Sequence, residues 1–183
     1  MVKRSVAVWL CAVAIETPLS MTPTRIKISV FALAFLSMPL AWADDAQDFQ
    51  RAEQAYEASY YEIAFPIYER LAEQGNAGAQ YNLGQLYRKG QGVRQDNKEA
   101  IKWYRKATDQ GHARAQYNLG VTYANGQGAP QDYVQAHMWF NLAASSGAKM
   151  AAKNRDIVAE KMTPEQIAEA QRLAQEWMEK HKK

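Results

Sequence analysis

Cysteine is nearly absent: the chain of 183 residues has one, Cys11. That excludes a disulfide framework and a cysteine-based zinc cluster. Histidine is scarce too, with His112, His137 and His181 spread far apart. No His-x-x-x-His or His/carboxylate spacing suggests zinc, so no metal is expected. A dominant charge is also lacking, because 22 Lys and Arg face 19 Asp and Glu, a formal net of +3. Hydrophobic residues at 48% and charged residues at 22% exclude disorder, collagen and a multi-span membrane protein. The small basic excess is local. Residues 1–43 hold Lys3, Arg4, Arg25 and Lys27 against Glu16, which leaves 18 basic and 18 acidic residues in 44–183. Charge therefore gives no reason to expect nucleic acid as a partner.

Residues 1–43 read as an export address. Arg25 and Lys27 precede an apolar stretch, Ile28 to Leu40, that is short for a membrane span of about 20 residues. Ala41-Trp42-Ala43 then offers an Ala-x-Ala cleavage site followed by Asp44-Asp45. Cleavage is expected after Ala43; the alternative is an uncleaved anchor. Met21 alone would start a complete signal peptide, so translation is expected to begin at Met21 or at both Met1 and Met21. The residues before Cys11, Val8-Trp9-Leu10, lack the small side chain that precedes a lipoprotein cysteine. The expected mature chain, residues 44–183, is thiol-free, and its expected location is the periplasm or the medium. Membrane contact is expected only through the uncleaved signal.

What is present is a repeat. Residues 75–110 and 111–146 align without gaps at a period of 36, with 17 identical positions. Each unit reads as two helices. The first runs over about Ala77–Arg88 (Ala113–Ala124), with Ala79, Leu83 and Tyr87 as an apolar stripe. Gly84 and Gly120 sit inside it, where glycine costs about 1 kcal/mol against alanine. A cost paid twice implies close approach of the neighbouring helix. Gly90-Gln91-Gly92 and Gly126-Gln127-Gly128 turn the chain. Asp96 with Glu99, and Asp132 with Gln135, predict capping boxes for the second helix. That helix carries Ala100, Trp103, Tyr104 and Ala107, matched by Ala136, Trp139, Phe140 and Ala143.

The flanks read as degenerate units. Residues 44–74 supply a helix over about Asp45–Ser59 and a second over Tyr61–Gln74, which Pro66 should bend or delay. Residues 147–183 supply a helix over Ala148–Lys161, and then Thr163-Pro164-Glu165-Gln166 as cap, first-turn proline and capping-box Gln. Ile167, Ala170, Leu173, Ala174 and Trp177 are its expected buried stripe. Atypical ends suit a solenoid, whose terminal units must close the core.

The frame Ala79-Gln80-Tyr81-Asn82-Leu83-Gly84, Tyr87, Gly90-x-Gly92, Asp96, Ala100, Trp103, Ala107, Gly111, matched 36 residues later, resembles the Sel1-like repeat family, a relative of the tetratricopeptide class. Gln80 stands at the Trp position of the tetratricopeptide pattern W-x-x-L-G-x-x-Y. The resemblance implies an all-α fold: an α/α superhelix, or solenoid, of about four helix pairs in a right-handed coil. It also implies binding of a protein or peptide, without chemistry of its own and without cofactors. Exported bacterial members act as envelope adaptors or regulators. Some disulfide-rich relatives were linked to penicillin binding, and the absence of mature cysteine sets this chain apart from them.

The search for chemistry yields little. Ser146-Gly147-Ala148-Lys149 matches S-x-x-K of penicillin-type acylation, but Ser-Asp-Asn and Lys-Thr-Gly partners are missing. Gly90-Gln91-Gly92 follows no strand and precedes no Lys-Ser/Thr, so it is not a phosphate loop. His112 reads as a helix start, His137 as a surface or groove residue, and Trp103, Trp139 and Trp177 as packing between units. No catalytic residue is assigned. The expected function is a binding scaffold or adaptor in the bacterial envelope; the alternatives are a penicillin-binding or peptidoglycan-active enzyme and a structural subunit of an envelope assembly. Partner contacts are expected on the concave side lined by the first helices, from Asn82, Gln85, Lys89, Asn118, Thr122 and Asn125. The two asparagines recur in both units, and an amide can bond an extended backbone by donor and acceptor together. Packing within the solenoid is their other reading. The remaining residues differ between units, where specificity would reside.

Overall fold

The structure, a computed structural model, describes residues 40–181. Residues 1–39, with both start sites, Cys11 and most of the expected signal, lie outside the described residues. Among the described residues there are eight helices and no strand: α1 Leu40–Glu57, α2 Tyr61–Glu73, α3 Ala77–Lys89, α4 Asn97–Asp109, α5 Ala113–Asn125, α6 Tyr133–Ser145, α7 Lys149–Ala159 and α8 Pro164–Lys180. The point after Ala43 falls in the first turn of α1. None of the described helices is long and apolar enough to cross a membrane.

Local chemistry sets the helix ends. Asn76 Oδ1 accepts the Ala79 N–H at 2.9 Å, and His112 Nδ1 does the same for Ala115 at 3.3 Å. Gly90 (φ 67°) and Gly126 (φ 68°) close α3 and α5 in the left-handed region. Asp96 caps Lys98 and Glu99, and Asp132 caps Gln135. The expected capping boxes close on one side only. The Asp96 and Asp132 N–H groups donate instead to the carbonyls of Tyr87 and Tyr123, at 2.9 and 3.0 Å. Those bonds tie the loop to the first helix and leave Glu99 to pair with Lys102. Thr163 and Gln166 form a box bonded in both directions. Helix α2 begins at Tyr61, so Pro66 does not delay it; the missing N–H removes one bond from the second turn.

Each helix packs on the next up to α7, and the core lies in two neighbouring clusters. Ala64, Tyr68, Leu71, Ala79, Leu83 and Leu86 anchor the first. The second runs from Ala100 to Ala174 around Tyr104, Leu119, Phe140 and Leu142, and Tyr87 packs against both. The intrahelical glycines make this possible. A Cβ on Gly84 or Gly120 would stand 2.6 Å from the ring of Tyr104 or Phe140. The second glycine of each turn meets the preceding unit: a Cβ on Gly92 would lie 2.6 Å from the Tyr61 carbonyl carbon, and one on Gly128 2.6 Å from the Asn97 Cβ.

The buried Gln80 links two units. Its Nε2 donates to the Ala72 carbonyl at 3.1 Å, and its Oε1 accepts from Gln110 Nε2 at 2.8 Å. Gln110 Nε2 also reaches the Gly75 carbonyl at 2.9 Å. One period on, Gln116 is equally buried, but Ser146 stands where Gln110 stood. The Ser146 hydroxyl turns to its own helix, 3.5 Å from the Leu142 carbonyl, and Gln116 Oε1 has no partner.

The last unit departs from the pairing of the others: α7 and α8 both pack on α6 rather than closely on each other. Enclosed by α5, α7 and α8, helix α6 buries every residue from Ala136 to Phe140. His137 is therefore 3% exposed, a core residue and not the surface or groove residue expected. Of the three tryptophans, Trp139 is buried. Trp177 is half-buried and meets it edge-on at 6.1 Å. Trp103 is half-buried under the Lys106 ammonium, 3.9 Å from its ring. In α8 the stripe is narrower than expected: Ala170 and Ala174 are buried, whereas Ile167, Leu173 and Trp177 are half-buried.

Candidate functional site

Successive first helices leave a groove between α5 and α7. At one end lies a hollow of about 410 Å³ lined by Tyr81, Arg114, Tyr117, Asn118, Lys149 and Met150. At the other end a hollow of about 200 Å³ is lined by Val121, Asn125, Tyr133, Asn154, Ile157 and Lys161. Between them Asn154 Nδ2 donates to the Tyr117 hydroxyl at 3.0 Å, fixing that ring in the groove wall. Met150 and Ile157, one heptad apart on α7, are 59% and 44% exposed, so an apolar strip runs along the groove.

Polar atoms around Asn118 lack partners. Arg88 Nε, Tyr104 Oη and Asn118 Nδ2 are buried without a hydrogen bond. Arg88 and Asn118 lie beside the Tyr104 hydroxyl, and burial pushes that phenol up to about 12 despite them. Tyr81 is raised by the same desolvation, opposed first by the Arg114 charge. Its ring stacks on His112 at 4.7 Å, and burial, then Arg114, pushes that imidazole down. Burial likewise holds His137 low, with the Arg155 charge next. The ionisable residues lining the two hollows include Arg114, Lys149 and Lys161 and no carboxylate. The N-cap of α7 is Ala148, which supplies no side-chain cap where Asn76 and His112 supply one.

The expected contact residues have different surroundings. Asn118 lines the larger hollow and Asn125 the smaller. Asn82 sits on α3 at the Tyr68 hydroxyl. Gln85 bonds the Tyr81 hydroxyl at 3.0 Å and accepts from Arg88 at 3.3 Å. Lys89 donates to the Tyr56 hydroxyl at 3.0 Å, which engages it with α1. Thr122 lies inside: it is 3% exposed, and its hydroxyl donates to the Asn118 carbonyl at 2.8 Å. As a β-branched side chain on the inner side of α5, it packs in the core and offers a partner nothing. Ser146 and Lys149 share no hydrogen bond. Ser146 faces its own helix, and Lys149 lines the groove.

The tyrosines, Arg114, Met150 and Asn154 were not anticipated. The period carried a signal for one of them: Asn154 stands 36 residues beyond Asn118, as Asn118 does beyond Asn82. The degenerate sequence around it concealed the third rung.

An α/α repeat solenoid with an open groove along its first helices defines the class. Residues 77–112 and 113–147 match the Sel1 repeat, each beginning two residues after the expected phase. The chain thus carries two Sel1 repeats, a helical fold that commonly mediates protein–protein interaction. No curated protein matches it. Among solved structures it is similar to a protective antigen of uropathogenic Escherichia coli displaying an SLR fold, with 30% identity and a TM-score of 0.73. That match covers 82% of this chain and 33% of the antigen. It is also similar to a Sel1 repeat protein from Oxalobacter formigenes, with 35% identity and a TM-score of 0.59, over 69% of this chain and 54% of that one. The chain spans a third to about half of these relatives.

Proposed function

We propose that this chain is a protein-binding scaffold or adaptor of the bacterial cell envelope that holds an extended segment of a partner in the α5–α7 groove. The observation that carries the reading is the Asn118 amide, which lines the groove with Nδ2 buried and unpartnered. A buried donor left without an acceptor costs about 1–3 kcal/mol, and turning that amide outward onto a partner's backbone carbonyl would recover part of it. Asn82 and Asn125 extend the contact surface, and Gln85 and Lys89 shape its edge. The envelope location rests on the address-like residues 1–43, and sequencing the N-terminus of exported protein tests it. A start before Asp44 would contradict cleavage after Ala43.

Capture from an envelope fraction tests the site. An Asn82→Ala/Asn118→Ala double variant, folded by circular dichroism, is expected to lose partners that the wild type retains. Undiminished capture would refute the reading. The penicillin-binding alternative has no such support, because Ser146 and Lys149 are not joined; a fluorescent penicillin labelling Ser146 would revive it.

A further inference from the structure

We infer that the segment received by the α5–α7 groove is acidic and apolar: an extended peptide that sets carboxylates against Arg114 and Lys149 and an apolar side chain between Tyr81, Tyr117 and Met150. The inference rests on the docking reading above and adds the chemistry of the partner.

Three observations converge on one surface. The first is charge. Residues 44–183 balance 18 basic against 18 acidic side chains, yet the two hollows carry cations and no carboxylate. Arg114, Lys149 and Lys161 pair with no carboxylate among the described residues, as Arg94 and Lys106 elsewhere do not, but here no carboxylate lines the same hollows either. A groove that keeps one sign of charge uncompensated steers and selects the opposite sign. The second is the apolar floor. Met150 and Ile157 remain exposed on α7, next to a hollow roomy enough for one large side chain. The third is the backbone of α7. Asn76 and His112 cap the earlier first helices, but Ala148 leaves the first amides of α7 unbonded by any side chain, beside Lys149 and across from Arg114. Those amides add favourable potential for a carboxylate that the two cations already attract. Unpaired cations, open apolar surface and a helix start without a side-chain cap together suit an acidic peptide with apolar residues. A basic one would meet repulsion, and a purely polar one would leave Met150 and Ile157 wet.

Selection of a phage-displayed library of random 12-residue peptides on the purified full chain tests this. The expected result is enrichment of sequences with several Asp or Glu beside Leu, Phe or Trp. A synthetic peptide of the enriched type should shift the Asn118 side-chain amide in the NMR spectrum. Arg114→Glu/Lys149→Glu should weaken it by about tenfold or more, and so should raised salt. Both positions are exposed, so the fold should survive; Arg114→Gln/Lys149→Gln provides a milder second variant expected to lose less. Lys102→Glu, on α4, should leave binding unchanged. Enriched peptides of neutral or basic composition that still shift Asn118 would overturn the acidic assignment and leave the groove reading standing. No enrichment, or binding that does not perturb Asn118, would overturn both.

Discussion

The two repeats differ in the relay that Gln110 completes and Ser146 does not, and exchanging that difference measures what it is worth. Gln110 Nε2 reaches both the Gln80 Oε1 at 2.8 Å and the Gly75 carbonyl at 2.9 Å, whereas Ser146 is too short to reach Gln116 Oε1. Gln116 is 2% exposed, so its orphan acceptor carries a desolvation cost of about 1–3 kcal/mol. Ser146→Gln should place an amide where Gln110 places one, against Gln116 Oε1 and the Gly111 carbonyl. The recovered bond is worth about 1 kcal/mol or more, and ordering a Gln side chain returns part of it. A net gain of about 0.5–1 kcal/mol is expected. At about 2.1 cal/mol/K of unfolding entropy per residue, a domain of this size should gain about 2–3 °C in Tm. The reverse change, Gln110→Ser, orphans Gln80 Oε1 and should cost about 1–2 kcal/mol. Thermal unfolding followed by circular dichroism reads both. An unchanged or lowered Tm for Ser146→Gln, together with a harmless Gln110→Ser, would refute the relay.

Other expectations follow from packing and protonation. Gly84→Ala and Gly120→Ala each drive a Cβ to 2.6 Å from an aromatic ring, so overpacking of about 1–3 kcal/mol should outweigh the helix-propensity gain; a raised urea midpoint would contradict the close approach. His112 and His137 are held below the ordinary imidazole value of about 6.5 in the folded chain. The unfolded chain therefore binds more protons in that range, and stability present above about pH 6.5 should fall as pH drops through the lowered values. Urea midpoints at pH 7.5 and 5.5 check this, and His137→Leu should flatten the profile. A midpoint indifferent to pH in that window would contradict the buried-neutral state. Deleting Thr163–Lys183 uncovers the α6 face under Ala170, Ala174 and Trp177, and should give aggregation on size exclusion; a soluble truncation of unchanged helicity would contradict it.

Periodicity made the fold legible. A 36-residue period with glycines at fixed places dictated helix pairs and located α3 to α6 within a residue or two, because turn glycines and Asp caps act locally. Capping boxes were half right, since Asp96 and Asp132 spend their N–H groups on Tyr87 and Tyr123 across the loop. That choice depends on the path of the turn and leaves no mark in the spacing. Position within a solenoid was harder to read. His137 and Thr122 look polar and available, but α6 is covered on three sides and Thr122 points inward, facts set by contacts between units. The groove was partly legible. Asn118 was found by its recurrence 36 residues after Asn82 and Asn125 by its difference from Lys89, while Arg114, Lys149 and Met150 gather only once α5 and α7 lie side by side. The last unit departs most from the period, and it supplies half of that surface.

The central claim is that the partner docks between α5 and α7. Site-specific photo-crosslinking in producing cells tests it most directly, with the crosslinker at Met150 in the groove or at the exposed Lys102 on α4. An adduct with a second protein from position 150, absent from position 102, is the predicted result. Equal adducts from both positions, or one from position 102 alone, would contradict it.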